Sequence, residues 1–112
     1  MIVVENHIPV KREHRAQFEK LFASGTRLVQ NAPGFIRNEV LRPTKGDEYI
    51  VQTHWESQET FQKWVKSDDF KKAHSSPAPD EMFSGESRLE IHEVVVSTER
   101  QRSSAVSSKH ER

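Results

Sequence analysis

The order in which hydrophobic periodicities follow one another restricts the fold of this chain more than any single motif does. Apolar residues at alternate positions predict strands at residues 2–10, 35–42, 48–56 and 88–97. Apolar residues spaced three, four and seven apart predict an amphipathic helix over residues 12–31, which Pro33 and Gly34 end. The turn signal at residues 43–47 indicates that the second and third strands form a hairpin.

A polar segment interrupts the second helical region. Ser57 and Thr60 predict the start of a helix, and Ser67 predicts a new N-cap for a short segment that ends at His74. Residues 75–85 contain two prolines and are predicted to form a loop. The resulting order, β-α-β-β-α-β, is typical of a ferredoxin-like α+β sandwich with four strands and both helices on one face.

The sheet face opposite the helices also needs a cover. We expect its residues to be mixed in polarity, with Val3, Val40 and Ile50 among the apolar ones. A second subunit commonly covers a sheet face of this kind. The sequence therefore predicts a homodimer, in which two such sandwiches build a dimeric α+β barrel.

Composition limits the chemistry that this single-domain chain can support. The 112 residues include 17 basic and 17 acidic side chains, which balance to zero net charge, and no cysteine. Nucleic acid is not an expected partner, because phosphate binding needs a surplus of Lys and Arg. Since the chain has no thiol, a metal would have to be held by His, by carboxylates or by a bound cofactor.

The hydrophobic content of 33% is low for a globular chain. In residues 99–112 only Ala105 and Val106 are apolar, so we expect one domain over residues 1–98 and a disordered polar tail after it. The tail accounts for part of the low value, and a core shared with a second subunit or an apolar ligand would account for more. Because no apolar run reaches the roughly 20 residues that span a bilayer, we expect a soluble, cytoplasmic protein without a membrane partner.

Two polar residues are candidates for binding, and each has an ordinary structural alternative. Asn6 shares the parity of the apolar residues in its strand, so its amide bonds either a neighbouring backbone group or a ligand. His74 either interacts with free carbonyls at its helix end or binds a metal, with Phe70 keeping water away. Because no second His lies three or four residues away, that metal would bring its own equatorial ligands, as haem iron does. Trp64 and Phe22 predict an aromatic-rich interior.

Several short segments together resemble one known family. Glu5-Asn6 lies near the end of the first strand, Trp55-Glu56-Ser57 ends the third, and residues 61–74 read FQKWVKSDDFKKAH. Over about residues 1–96, the combination of this Asn, this Trp and a His ten residues after the Trp resembles the IsdG-type haem-degrading monooxygenases. These form a branch of the antibiotic biosynthesis monooxygenase (ABM) superfamily.

The resemblance implies a haem-dependent activity with three catalytic residues. His74 would be the axial ligand of the haem iron, Trp64 would press on the porphyrin and distort it, and Asn6 would hydrogen-bond the distal oxygen ligand. Phe22 and Phe70 would complete the haem-binding surface. Haem would be both substrate and cofactor, opened with O2 and an external electron donor such as a reductase, and the products would be iron and a bilin.

Two other functions remain open from the sequence. The same cavity could serve a cofactor-independent ABM-type monooxygenase that acts on an aromatic or quinone substrate. Alternatively, the chain could form a non-catalytic dimer that stores or carries haem. A spectral change on haemin addition separates haem proteins from the first alternative, and turnover separates an enzyme from the second.

Overall fold

The fold is a single antiparallel sheet with helices against it. The computed structural model describes residues 1–25, 28–74 and 78–101. Its elements are β1 (Ile2–Pro9), α1 (Arg15–Gly25), β2 (Phe35–Leu41), β3 (Glu48–Trp55), α2 (Gln58–Val65), α3 (Asp68–Ala73) and β4 (Arg88–Glu93). The strands lie in the order β2-β3-β1-β4, and every neighbouring pair is antiparallel. This is the predicted ferredoxin-like arrangement. Helix α1 follows β1, and the α2–α3 pair follows β3.

The observed elements are shorter than predicted at two places. In the described part of the helix predicted over residues 12–31, α1 is flanked by short 3-10 helices at Arg12–His14 and Val29–Asn31, and residues 26 and 27 lie outside the described residues. Gly25 is the last residue of α1, and glycine is a poor helix former because it loses the most backbone entropy on ordering. Strand β4 ends at Glu93 because its partner there is Ile2, the first residue of β1.

The caps of the second helical region are those that the sequence predicts. Ser57 and Thr60 form a reciprocal capping box at the start of α2. The Ser67 hydroxyl accepts a hydrogen bond of 3.1 Å from the backbone N–H of Phe70 and donates one of 2.6 Å to the Trp64 carbonyl. Ser67 therefore ends one helix and starts the next, which sets the angle between α2 and α3.

Gly34 fixes the approach of α2 to the start of β2. It has a positive φ of 83°, and a Cβ at this position would lie 2.5 Å from the Thr60 side chain. Its carbonyl accepts a 2.8 Å hydrogen bond from the backbone N–H of Glu56. Only glycine meets both the backbone conformation and the close contact.

A β-bulge decides which residues of β2 face the helices. The pairing with β3 shifts one residue after Phe35, so that Asn38 and Val40 lie opposite Thr53 and Val51. These four residues lie on the helix-facing side of the sheet. The prediction that Val40 lies on the opposite face is therefore wrong, because the bulge inserts one residue and reverses the alternation counted from Phe35.

The core lies between the sheet and the helices in two clusters. The first contains Ile2, Val4, Val29, Trp55 and Trp64, and the second contains Ile8, Val10, Phe18, Tyr49 and Met82. Met82 belongs to a 3-10 helix, Asp80–Met82, within the segment predicted as a loop, and its side chain is fully buried. Members of both clusters line the cavity described below, so the space between the clusters is not filled by side chains.

An ionic group attaches α1 to the hairpin. Arg42 donates hydrogen bonds of 2.6 and 2.7 Å to the carboxylate of Glu19, and the buried Tyr49 hydroxyl donates to the same carboxylate. These donors, Arg42 first, lower the pKa of Glu19 to about 2. The carboxylate thus stays ionised and paired over the physiological pH range.

No helix in the described ranges combines the length and the apolar character needed to cross a membrane. Most of the tail that the sequence predicts to be disordered, residues 102–112, lies outside the described residues.

Candidate active site

A cavity of about 640 Å³ opens between the helix-facing side of the sheet and the helices. Its volume falls in the range of about 300–1,000 Å³ that is usual for small-molecule and cofactor sites. Among the described residues, the polar side chains in its lining are those of Asn6, Asn38, Thr53, His74 and Ser87. Because most of the remaining lining is aliphatic or aromatic, the cavity suits a large apolar ligand that carries few polar groups.

The structure brings all five of the site residues predicted from the sequence to this cavity. Its lining includes Asn6, Phe22, Trp64, Phe70 and His74. They come from β1, α1, α2, α3 and the residue after α3, and are separated by up to 68 positions (74 − 6) in the chain. The fold therefore assembles one candidate site from every helix and from the strand β1.

His74 is held in one orientation at the end of α3. Its Nδ1 lies 2.8 Å from the Phe70 carbonyl oxygen, and its ring stacks on the Phe70 ring with the centroids 4.0 Å apart. A carbonyl oxygen only accepts hydrogen bonds, so Nδ1 must carry the proton that it donates. In the neutral imidazole this leaves the lone pair of Nε2 available to a metal.

The two interpretations of His74 made from the sequence are compatible in this geometry. The contact with a carbonyl of the last helical turn is the ordinary role of a His at a helix end. The same contact fixes the tautomer that metal binding needs. The structural role therefore prepares the residue for ligation, and His74 is exposed, so a ligand can reach it.

Trp64 and Phe70 form an aromatic wall beside His74. The Trp64 side chain is 8% exposed, and its ring meets the Phe70 ring edge to face at 5.7 Å. In one continuous helix Trp64 and His74 would lie roughly 80° apart around the axis. The break at Ser67 removes this restriction and lets both side chains reach the same cavity.

Asn6 supplies an amide on the floor of the cavity. It lies in the middle of the sheet, with Val51 of β3 on one side and Leu89 of β4 on the other. Within residues 1–25, 28–74 and 78–101 its side chain has no hydrogen-bond partner. The alternative that Asn6 bonds neighbouring backbone is therefore not what the described residues show, and the amide remains available to a ligand.

Three polar residues of the lining, Asn38, Thr53 and Ser87, were missed in the sequence. Alternation counted from Phe35 places Asn38 on the outer face, and only the bulge in β2 brings it to the cavity. Thr53 lies opposite Asn38 and accepts a 3.0 Å hydrogen bond from the indole N–H of Trp55. Thr53 has the same parity as Trp55 in β3, and this pattern indicates that both face the helices. Nothing in the sequence of residues 35–37 indicates the bulge.

Comparison with known proteins defines the class to which this fold and site belong. Residues 1–76 match the family described as antibiotic biosynthesis monooxygenase. A mycobilin-producing haem oxygenase from Mycobacterium tuberculosis is 39% identical over 95 residues, which cover 84% of this chain and 90% of that protein. A staphylobilin-producing haem oxygenase from Staphylococcus haemolyticus is 33% identical over 101 residues, which cover 88% and 94%.

Solved structures give the same result. The structure of the haem degrader MhuD from Mycobacterium tuberculosis, with two haems bound in its active site, matches with a TM-score of 0.74 and 36% identity. The match covers 88% of this chain and 100% of that chain. The chain belongs to the antibiotic biosynthesis monooxygenase family. Within that family it is a member of the IsdG- and MhuD-type haem-degrading monooxygenases.

Proposed function

We propose that this chain binds haem in the cavity and degrades it oxidatively, using haem as both substrate and cofactor. Haem would supply the iron that activates O2 and the porphyrin ring that is opened to a bilin-type product, with release of the iron. The observation that carries this proposal is His74, whose Nδ1 donates to a backbone carbonyl and whose Nε2 has no partner among the described residues, at the edge of an apolar cavity.

The described residues fit a haem. A single neutral imidazole is a sufficient protein ligand for an iron that already has four porphyrin nitrogens. The cavity walls of Phe22, Trp64 and Phe70 would contact the faces and edges of the ring and keep water away from it. The haem propionates would point to solvent, because few polar side chains of the described residues line the cavity to receive them.

Asn6 and Trp64 would direct the reaction rather than hold the iron. The Asn6 amide has no hydrogen-bond partner among the described residues, so it would be able to hydrogen-bond the reacting dioxygen and orient it toward a meso carbon of the ring. Trp64 is packed against Trp55 and Phe70, with ring centroids 6.4 and 5.7 Å away, so it cannot easily yield to a bound ring. Its pressure would distort the porphyrin.

The reaction also needs partners that the chain does not contain. An external electron donor, such as a reductase, would supply the electrons that O2 activation consumes. We also propose a homodimer that covers the outer sheet face, because apolar Leu41 of that face is 40% exposed beside charged residues. A cytoplasmic location stays a prediction.

A titration with haemin followed by a reductant tests the function. One equivalent of haemin should give a Soret band, and addition of ascorbate, or of a reductase with NADPH, should make the band decay while iron becomes available to a chelator. Catalase is included so that free peroxide does not degrade the haem. An intact spectrum under these conditions would reject the enzyme and favour a protein that stores or carries haem.

Two variants test the site assignment. His74→Ala should abolish turnover, whereas Asn6→Ala should still bind haem but lose degradation. His14→Ala, which removes a histidine outside the cavity, is the matched control and should behave as wild type. Wild-type turnover in both cavity variants would refute the assignment of these residues.

A further inference from the structure

The amide of Asn38 has a hydrogen-bonding capacity that the protein does not use. Its Oδ1 is buried, and in the described part of the chain it has no hydrogen-bond partner. The residue lines the same cavity as His74. Buried polar atoms are nearly always paired with protein, water or ligand, so the oxygen calls for a donor that enters the cavity.

The side chains of Asn38 and Asn6 are too far apart to hydrogen-bond the same small ligand atom. Asn6 lies in β1 opposite Val51, and Asn38 lies in β2 opposite Thr53, two residues further along β3. With strands about 4.8 Å apart and about 3.4 Å per residue along each, the two Cα atoms are about 12 Å apart. If Asn6 faces dioxygen near the centre of the ring, Asn38 faces the periphery of the same ligand.

An amide oxygen only accepts hydrogen bonds, so a ligand that pairs with the Asn38 oxygen must offer a hydrogen-bond donor. The four nitrogens of haem are bound to iron, and the ionised propionates are acceptors, so an intact haem offers this oxygen no donor. A linear tetrapyrrole that has lost its iron carries N–H groups on its pyrrole and lactam rings, and its end rings can rotate to present them.

We propose that Asn38 is a product-binding residue whose side-chain oxygen accepts a hydrogen bond from an N–H group of the ring-opened tetrapyrrole. This inference rests on the proposed haem-degrading function and names a contact that the closed ring does not make. Asn38 thereby favours the product over the substrate in the same cavity. Since the contact exists only after ring opening and iron loss, it also slows product release.

The test compares two tetrapyrroles on the full-length protein. Biliverdin IXα is the linear probe and haemin the closed one, and both dissociation constants are measured by quenching of tryptophan fluorescence and by absorbance. Asn38→Leu should raise the dissociation constant of biliverdin about fivefold or more, as expected for loss of a buried hydrogen bond, and change that of haemin less than twofold. In a single turnover, the variant should release product faster.

Three further variants separate hydrogen bonding from packing. Asn38→Asp keeps the acceptor and should bind biliverdin nearly as wild type. Asn38→Val removes it with a residue well suited to a strand, and serves if the leucine variant does not fold. Asn31→Leu changes an exposed asparagine outside the cavity and should leave both affinities unchanged.

The outcomes also distinguish this proposal from the function on which it rests. Equal weakening of haemin and biliverdin, or no weakening of either, would overturn the role of Asn38 while leaving haem degradation intact. If Asn38→Asp weakens biliverdin binding as much as Asn38→Leu does, the role of Asn38 is also overturned and haem degradation is again left intact. A wild-type protein that binds neither tetrapyrrole would overturn both.

Discussion

The two faces of the sheet use the same four strands for opposite purposes. The face toward the helices is mostly apolar, and two of its few polar side chains, Asn6 and Asn38, have polar atoms without partners among the residues that the structure describes. The outer face is rich in charged side chains and histidines, and these largely pair with one another. Its members across β2, β3, β1 and β4 include Arg37, Glu39, Leu41, Ile50, Gln52, His54, Val3, Glu5, His7, Arg88, Glu90 and His92.

His7 is the centre of the pairing on the outer face. Its side chain is 8% exposed, its Nδ1 lies 3.1 Å from the Glu48 carboxylate and its Nε2 lies 3.1 Å from that of Glu5. Glu90 lies 3.6 Å from the same Nε2, and Arg88 bridges Glu48 and Glu90. His7 and then Arg88 lower the pKa of Glu48, so its carboxylate stays ionised.

The difference shows that polarity alone does not locate a ligand site. The outer face has many more polar groups, but most of them are already satisfied by neighbours, as buried or half-buried groups usually are. The inner face has few, and its unpaired ones line a cavity that a ligand can enter, whereas the unpaired Nδ1 of His54 on the outer face does not line that cavity. We therefore expect substitutions on the inner face to divide into effects on stability and effects on ligand binding, whereas those on the outer face should affect stability and the proposed dimer but not haemin binding.

The largest effect on stability should come from Phe18→Ala, and the comparison is with the same substitution at Phe22, its neighbour in α1. Phe18 is 1% exposed and packs in the second core cluster, while Phe22 is half-buried, with the ring centroids 4.7 Å apart. Phe18→Ala should lower the free energy of unfolding by about 3–5 kcal/mol, the usual cost of emptying a core phenylalanine site. Phe22→Ala should cost clearly less, because its ring faces the cavity. Urea denaturation of both variants measures the difference.

The second part of this comparison concerns the affinity of the variants for haemin. Phe22→Ala should weaken haemin binding more than its loss of stability accounts for, because the ring is part of the proposed haem wall. Phe22→Leu is the matched control, since it keeps an apolar side chain and should retain most of the affinity. If Phe22→Ala proves as destabilising as Phe18→Ala and binds haemin normally, Phe22 belongs to the core and not to the site.

A smaller effect is expected on the outer face from His7→Leu. The substitution leaves the carboxylates of Glu5, Glu48 and Glu90 facing one another with Arg88 as the remaining ion-pair partner of Glu48 and Glu90. The substitution removes the hydrogen bonds between the buried His7 ring and the carboxylates of Glu48 and Glu5, and a net hydrogen bond contributes about 0.5–1.5 kcal/mol, so a loss of about 1–2 kcal/mol is expected at pH 7. Haemin affinity should not change.

The pH dependence of the His7→Leu effect identifies its cause. A carboxylate with a lowered pKa, such as Glu48, stabilises the folded state above its unfolded pKa, and this contribution is lost as the pH falls through the folded pKa. The gap between wild type and variant should therefore narrow below about pH 4. Urea midpoints at pH 7 and pH 3.5, at one protein concentration, test this, and a constant gap would assign the effect to packing.

The sequence predicted the element order because that order depends on local patterns. The five proposed site residues came partly from such patterns and partly from the family resemblance; the structure places them at one cavity, and their roles stay predictions. Asn6 follows from strand parity, and Ser67 from its capping chemistry. The faces of β2 were not predictable in this way, because one inserted residue at the bulge reverses every side chain after it. This single irregularity explains both the wrong placement of Val40 and the failure to find Asn38.

The partners of His7 were also beyond the sequence. Glu48 and Arg88 are 41 and 81 positions away, and their meeting depends on the register of three strands. Likewise, nothing in the residues around His74 shows that its Nδ1 bonds the Phe70 carbonyl, which is a matter of one side-chain rotamer. Sequence patterns give faces and caps, while tautomers and long-range pairs require coordinates.

The smallest effect, and the sharpest test of the difference between the faces, is the titration of His54. This outer-face residue is 8% exposed, its Nδ1 has no partner among the described residues, and burial, followed by Arg37, lowers its pKa. The unfolded chain therefore takes up the proton first as the pH falls below about 6.5, and the folded state loses stability by at most about 1.4 kcal/mol per pH unit. His54→Gln should flatten the stability curve between pH 7 and 5. Because His54 lies across the sheet from the cavity, haemin affinity in the His54→Gln variant should follow the wild-type pH profile. A changed haemin profile would mean that the two faces are coupled through β3, and that their separation into a ligand face and a structural face is wrong.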